Sequence, residues 1–159
     1  MVIDELDARL IELLTAEPRI GVLEASRRLG IARGTVQARL DRMQDRGVII
    51  GYGPEIDPAA LGHKVTAYVT VELRQPGGRN QVAESLSRIG EILEVHTITG
   101  PGDLLCRVVA RTNADLQRVI DTIVEVPGVV RTSTVIALAT PVRYRTTPLV
   151  RTTAASRAP

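Results

Sequence analysis

The stretch LGIARGTVQARLDRMQDRGVI, residues 29–49, decides how the chain is read. Val36, Leu40 and Met43 recur at i, i+4 and i+7, which is one stripe of an α-helix. The other side carries Arg33, Thr35, Gln37 and Arg42 and almost nothing apolar. A helix with one core stripe and a basic, hydrogen-bonding opposite side fits two roles: an ordinary surface helix, or a helix laid in a DNA groove. The flanking sequence has to separate them.

Upstream, DELDARLIELLTA (4–16) predicts a helix. Leu6, Leu10, Leu13 and Leu14 share a face, Asp4 is a good N-cap, acids fill the first turn, and Pro18 stops the run. VLEASRRL (22–29) predicts a second, short helix with Val22, Ala25, Ser26 and Leu29 inward. Gly30 is placed to end it in the left-handed conformation, and Gly47 closes the longer helix, expected from about Arg33 to Arg46, in the same way. VIIGYGPEI (48–56) is β-branched with two glycines and suits a short β-hairpin or wing. Helix, short helix, tight turn, longer helix and wing make a winged helix-turn-helix.

Past residue 62 the period changes to two. In KVTAYVTVEL (64–73), Val65, Ala67, Val69, Val71 and Leu73 alternate with polar or amphipathic positions, a strand with one buried face. PGGR (76–79) reads as a loop, and NQVAESLSRI (80–89) as a helix on Val82, Leu86 and Ile89. Strands are expected at 92–99, 104–111 and 129–138, with TGPGD (99–103) as a turn. A helix capped by Asn113 is expected to bury Leu116, Ile120, Ile123 and Val124. The order βαββαβ matches the ferredoxin-like unit. The fold class is therefore α+β, an N-terminal winged helix-turn-helix domain followed by a ferredoxin-like βαββαβ domain. The boundaries expected are 1–56 for the first domain, 57–63 for a linker, 64–140 for the second domain, and 141–159 for an Arg-bearing C-terminal tail without a sustained period.

Composition narrows the function classes. The chain has no Phe or Trp and three Tyr, so its core is aliphatic and aromatic stacking on single-stranded nucleic acid is disfavoured. No apolar run approaches the roughly 20 residues of a membrane span. The N-terminus is acidic and amphipathic, unlike a signal peptide. The single cysteine, Cys106, excludes an internal disulfide or Cys-cluster metal site and is expected to be a buried small hydrophobe. A cytoplasmic location follows by default. The net charge of +2 conceals a local pattern. Residues 27–46 carry Arg27, Arg28, Arg33, Arg39, Arg42 and Arg46 against only Asp41 and Asp45, and the tail from 141 holds arginines and no acid. Local basic patches are the footprint of a phosphate-binding surface, and a solvated helix face is the alternative.

Taken together, LDARLIELL, RLGIARGTVQARLDRMQDRGVIIGY, TGPGDLL and VPGVVRTSTVIAL, in this order and with this fold between them, resemble the Lrp/AsnC (feast/famine) family of transcriptional regulators over about residues 3–140. The resemblance implies a DNA-binding head and a RAM domain that builds dimers through its sheet, assembles further to octamers, and binds small effectors, usually amino acids, between dimers. The implied partners are operator double-stranded DNA, an amino-acid effector and further copies of the chain, with no membrane and no other cofactor.

On the recognition helix, Arg33, Gly34 and Thr35 form the end that enters a major groove, and Gly34 and Ala38 permit close backbone approach. Gln37 suits adenine, Thr35 a thymine methyl or a phosphate, and Arg33 or Arg42 guanine or phosphate. Arg39 matches the family's characteristic recognition-helix arginine and reads as a structural clamp also within reach of phosphate. Arg27 and Arg28 suit backbone contacts. Ala32 stands where the family commonly has a capping Ser, and Asp41 and Asp45 bring negative charge to the same side. For the effector, the resemblance points to Gly100, Pro101, Gly102 and Asp103, with Pro101-Gly102 replacing the family's usual intervening pair. Turn amides suit a carboxylate and Asp103 an ammonium, with Thr132, Ser133 and Thr134 supplying hydroxyls. A plain hairpin turn beside a polar strand face is the alternative. With no phosphate loop, no nucleophile elbow and no paired His, an enzyme is not expected. The competing functions are a winged-helix regulator or an architectural DNA-binding protein whose second domain only oligomerises.

Overall fold

The structure, a computed structural model, describes residues 3–74 and 78–156. The chain divides into two units, one formed by Met1–Pro54 with Val142–Pro159 and the other by Glu55–Pro141.

The first unit contains α1 (Glu5–Ala16), α2 (Val22–Leu29), α3 (Arg33–Asp45) and α6 (Thr147–Ala155). Asp4 caps α1 through a capping box: its side chain accepts from the Asp7 N–H, and the Asp7 side chain accepts from the Asp4 N–H. Gly30 ends α2 in the left-handed conformation, at φ 69°. Leu10, Ala25, Val36, Leu40 and Met43 form the core, ringed by half-buried residues that include Val22, Leu29 and Ile49.

Two expectations for this unit are corrected. The segment 48–56 contains no strand. Instead, the N–H groups of Val48 and Ile49 both donate to the Met43 carbonyl, and Ile49 packs on the core. The chain is thus folded back onto the end of α3, away from hairpin register, before Gly51, Gly53 and Pro54 interrupt it. The tail, expected to be ordered and then frayed without a sustained period, forms a regular helix, α6, with Pro148 in its first turn. It packs on α1, buries Ala154 and pairs Arg151 with Glu12.

The second unit contains β1 (Val65–Leu73), α4 (Arg79–Leu86), β2 (Ile92–Thr97), β3 (Leu104–Ala110), α5 (Asn113–Val124) and β4 (Val129–Ala137). The strands form one sheet in the order β2-β3-β1-β4, with antiparallel neighbours. This is the ferredoxin-like arrangement, and Ala67, Val69, Val71, Leu104, Cys106 and Val108 bury against α4 and α5. Burial pushes the Cys106 thiol up to about 11, so it stays an inert apolar group. The N-cap of α5 is Thr112, not Asn113, because the Thr112 side chain accepts the Asp115 N–H. The helix buries Leu116, Val119 and Ile123, with Ile120 half-buried against the core, and leaves Val124 exposed. α4 ends at Leu86, short of the expected Ile89. Of the expected 76–79 loop, residues 76–77 lie outside the described residues. No described helix is long and apolar enough to cross a membrane.

Candidate functional site

The exposed side of α3 follows from the burial of its stripe. With Val36, Leu40 and Met43 inward, Arg33, Gly34, Thr35, Gln37, Ala38, Asp41 and Arg42 are exposed. Ala32 is the N-cap and supplies no side-chain cap. The only bonds closing the first turn run from Thr35 and Val36 N–H to the Ala32 carbonyl, so the amides of Arg33 and Gly34 are left without an intrahelical acceptor. The Arg33 side chain has no hydrogen-bond or ion-pair partner among the described residues.

Among the described residues Arg46 also has no side-chain partner, while the remaining polar and basic site residues are engaged. Gln37 donates to Asp41 at 2.7 Å. Arg28 reaches Glu17 at 2.6 Å and Glu24 at 3.3 Å, and these bonds raise its pKa. Arg27 lies 3.6 Å from Glu24. Arg39 Nη1 donates to Asp4 (2.7 and 2.8 Å) and to Asp7 (2.7 Å), while Arg42 Nη2 donates to both oxygens of Asp7 at 3.0 Å. Burial works to raise the Asp4 carboxyl, but hydrogen bonds from Arg39 and the Asp7 N–H outweigh it and hold the group below the usual range. Asp7 is fully buried. Its role in tying α1 to α3 is not legible from local sequence. The available signal was an acid at the i, i+3, i+7 spacing shared with Leu10 and Leu14, on the apolar face where a charge requires partners.

In the second unit the 99–103 turn is fastened to β1. The Asp103 N–H donates to the Val71 carbonyl, and its carboxylate accepts the Leu73 N–H at 2.9 Å and Arg79 Nη2 at 3.0 Å. These two bonds, the Leu73 amide first, hold the Asp103 carboxyl below its ordinary value. Arg79 is a member of this cluster that the sequence did not single out. Gly102 has φ +101°, and a Cβ there would lie 2.3 Å from Thr70 Cγ2. Thr70 pairs with Ser133 across β1 and β4, so Gly102, Thr70 and Ser133 share the sheet face away from the helices. Thr132 and Thr134 pair with Val71 and Val69, whose side chains are buried on the helix side. The three hydroxyls therefore do not converge: Ser133 stands on the face of the turn, and the two threonines stand on the other. Gly100 and Pro101 are exposed.

Two family models match along the chain. Residues 3–50 match a winged helix-turn-helix DNA-binding domain, and residues 66–147 match the Lrp/AsnC ligand binding domain. The HTH-type transcriptional regulator FL11 of Pyrococcus horikoshii is 32% identical over 87% of this chain and 91% of its own length. Among solved structures, E. coli AsnC superposes with a TM-score of 0.85 at 26% identity, covering 93% of this chain and all (100%) of that one. A feast or famine regulatory protein from M. tuberculosis complexed with L-methionine superposes with a TM-score of 0.79 at 28% identity, covering 89% and 96%.

Proposed function

The chain belongs to the Lrp/AsnC family of transcriptional regulators, a family of DNA-binding proteins with a ligand-binding domain and not of enzymes, and on that premise we propose that it reads operator DNA with α3 under the control of an amino-acid effector. The observation that carries this reading is the open face of α3. The Arg33 side chain has no partner there among the described residues, Gly34 and Ala38 leave room for close approach, and the first-turn amides lack a side-chain cap. A phosphate oxygen is the natural acceptor for those amides. Arg33, Thr35 and Gln37 then address base edges, with Gln37 first released from Asp41. Arg27, Arg28, Arg39 and Arg42 serve the backbone, each while remaining tied to an acidic partner.

The effector is an amino acid bound beside Gly100–Asp103 and Ser133. The L-methionine held by the M. tuberculosis relative supports that class. Asp103 is already occupied by Leu73 and Arg79, so its part is to shape the turn, and the exposed amides and Ser133 face the ligand. Thr132 and Thr134 line the strand from the helix side. The chain works in the cytoplasm as a homodimer or octamer. A dimer places two α3 helices about one helical turn apart in successive major grooves. Dimer-to-octamer assembly is then the equilibrium on which an effector acts.

Light scattering of the full chain with each of the twenty amino acids tests the sensing half. A change of assembly size with one amino acid is expected. A fixed size, together with unchanged DNA affinity across the panel, overturns it in favour of a second unit that only oligomerises.

A further inference from the structure

Asp7 is the only fully buried charged side chain among the described residues. A buried carboxylate needs its lone pairs satisfied, and three donors meet Asp7: Arg39 Nη1, Arg42 Nη2 and the Asp4 N–H. The two arginines are not equivalent. Arg39 is 20% exposed and shares its Nη1 between Asp4 and Asp7. Arg42 likewise uses one nitrogen, Nη2, but at 42% exposure its guanidinium is far more open to solvent. Its Nε and Nη1 have no hydrogen-bond partner among the described residues. Helical spacing puts Arg42 on the flank shared with Thr35 and Ala38, at the border of the open face of α3.

We propose that Asp7 is a positioning residue for DNA binding: it grips one nitrogen of Arg42 from the protein side and presents the rest of that guanidinium to a backbone phosphate of duplex DNA. The proposal rests on the reading of α3 as the DNA-contacting helix. A guanidinium suits the task because its planar fork bonds a carboxylate on one edge and a phosphate on another. The side chain is ordered before DNA arrives, so its rotamer entropy is not lost on binding. The arrangement also explains why a helix that needs positive charge is laid over a buried acid. The acid cancels charge, yet it fixes where the remaining donors stand.

Two substitutions separate positioning from simple electrostatics, measured by binding to a mixed-sequence duplex over a range of salt, since phosphate contacts are sequence-independent. Arg42→Lys keeps the charge, but a single ammonium on a shorter stem does not span Asp7 and the phosphate. We expect about tenfold weaker binding and a salt slope (log K against log salt) shallower by about 0.9, the loss of one phosphate contact. Asp7→Asn makes the head more positive, so a purely electrostatic account requires tighter binding; positioning requires weaker binding with the same shallower slope. Unchanged affinity and slope in Arg42→Lys, or tighter binding in Asp7→Asn, overturns the inference. If Asp7→Asn does not fold, Arg42→Lys decides alone. Failure of the unmodified chain to bind duplex DNA overturns the DNA reading itself, and this inference with it.

Discussion

Gly102→Ala tests the packing of the 99–103 turn against the sheet. At φ +101° a side-chain-bearing residue is strained, at a cost of about 1–3 kcal/mol. The new Cβ would also overlap Thr70 Cγ2 at 2.3 Å and press on the Val71 carbonyl at 3.3 Å. Thr70 is β-branched in a central strand and has little rotamer freedom to retreat, so overpacking adds about another 1–3 kcal/mol. The substitution should therefore destabilise the sheet unit by about 2–6 kcal/mol, and Thr70→Ser separates the two causes. Removing Cγ2 relieves the overlap and leaves the backbone strain, so the double variant should recover about 1–3 kcal/mol of the loss. Urea unfolding of the full chain by circular dichroism gives the energies, and amide exchange on β1 and β3 assigns them to the sheet. A Gly102→Ala protein within about 0.5 kcal/mol of the unmodified chain, or a double variant with no recovery, refutes the reasoning.

Asp103→Ala should lower the urea midpoint of the sheet unit, by freeing the Leu73 amide and Arg79, and abolish the amino-acid response; a variant with an intact response removes the turn from the effector site. Met43→Ala, at a fully buried core position, should destabilise the helical unit by about 2–5 kcal/mol in urea unfolding, while the sheet unit's amide exchange is unchanged. Deleting residues 142–159 should destabilise the helical unit by about 1–2 kcal/mol, because Ala154 and its helix no longer cover α1; an unchanged melting curve contradicts that packing. Asp4, Glu91, Asp103 and Asp115 all have lowered pKa values in the fold. Each therefore contributes stability that is present above its unfolded pKa and lost as pH falls through its folded value. Unfolding free energy should hold above about pH 5 and drop progressively below about pH 4; a flat profile down to pH 3 contradicts these ion pairs.

Both periodic signals in the sequence translate directly into structure. The 3.6 period places Val36, Leu40 and Met43 in the core, and the strict alternation of 64–73 places Ala67, Val69 and Val71 there. What escaped is set by tertiary partners. α6 carries only a short apolar pair, Val150 and Ala154, and it is anchored by α1, more than 130 residues away in sequence. The 48–56 segment has β-branched residues but no strand to pair with. Asp7 looks like an ordinary first-turn acid until Arg39 and Arg42, 32 and 35 residues distant, are brought onto it. Asp103 looks like an open ligand for an ammonium until Leu73 and Arg79, 30 and 24 residues away, fill it. In each case the residue type is visible in the sequence and its partner is not. The candidate DNA surface was therefore more legible than the candidate effector turn, since a helix face follows from local spacing and a turn's neighbours do not.

The central claim is ligand-controlled operator binding. Its most direct test is to select an operator from a random duplex pool with the full chain, then measure affinity for it with each of the twenty amino acids at fixed salt. The account predicts one selected sequence with two half-sites about one helical turn apart, and an affinity change of about fivefold or more with at least one amino acid. No enriched sequence, or an affinity constant across the whole panel, contradicts it.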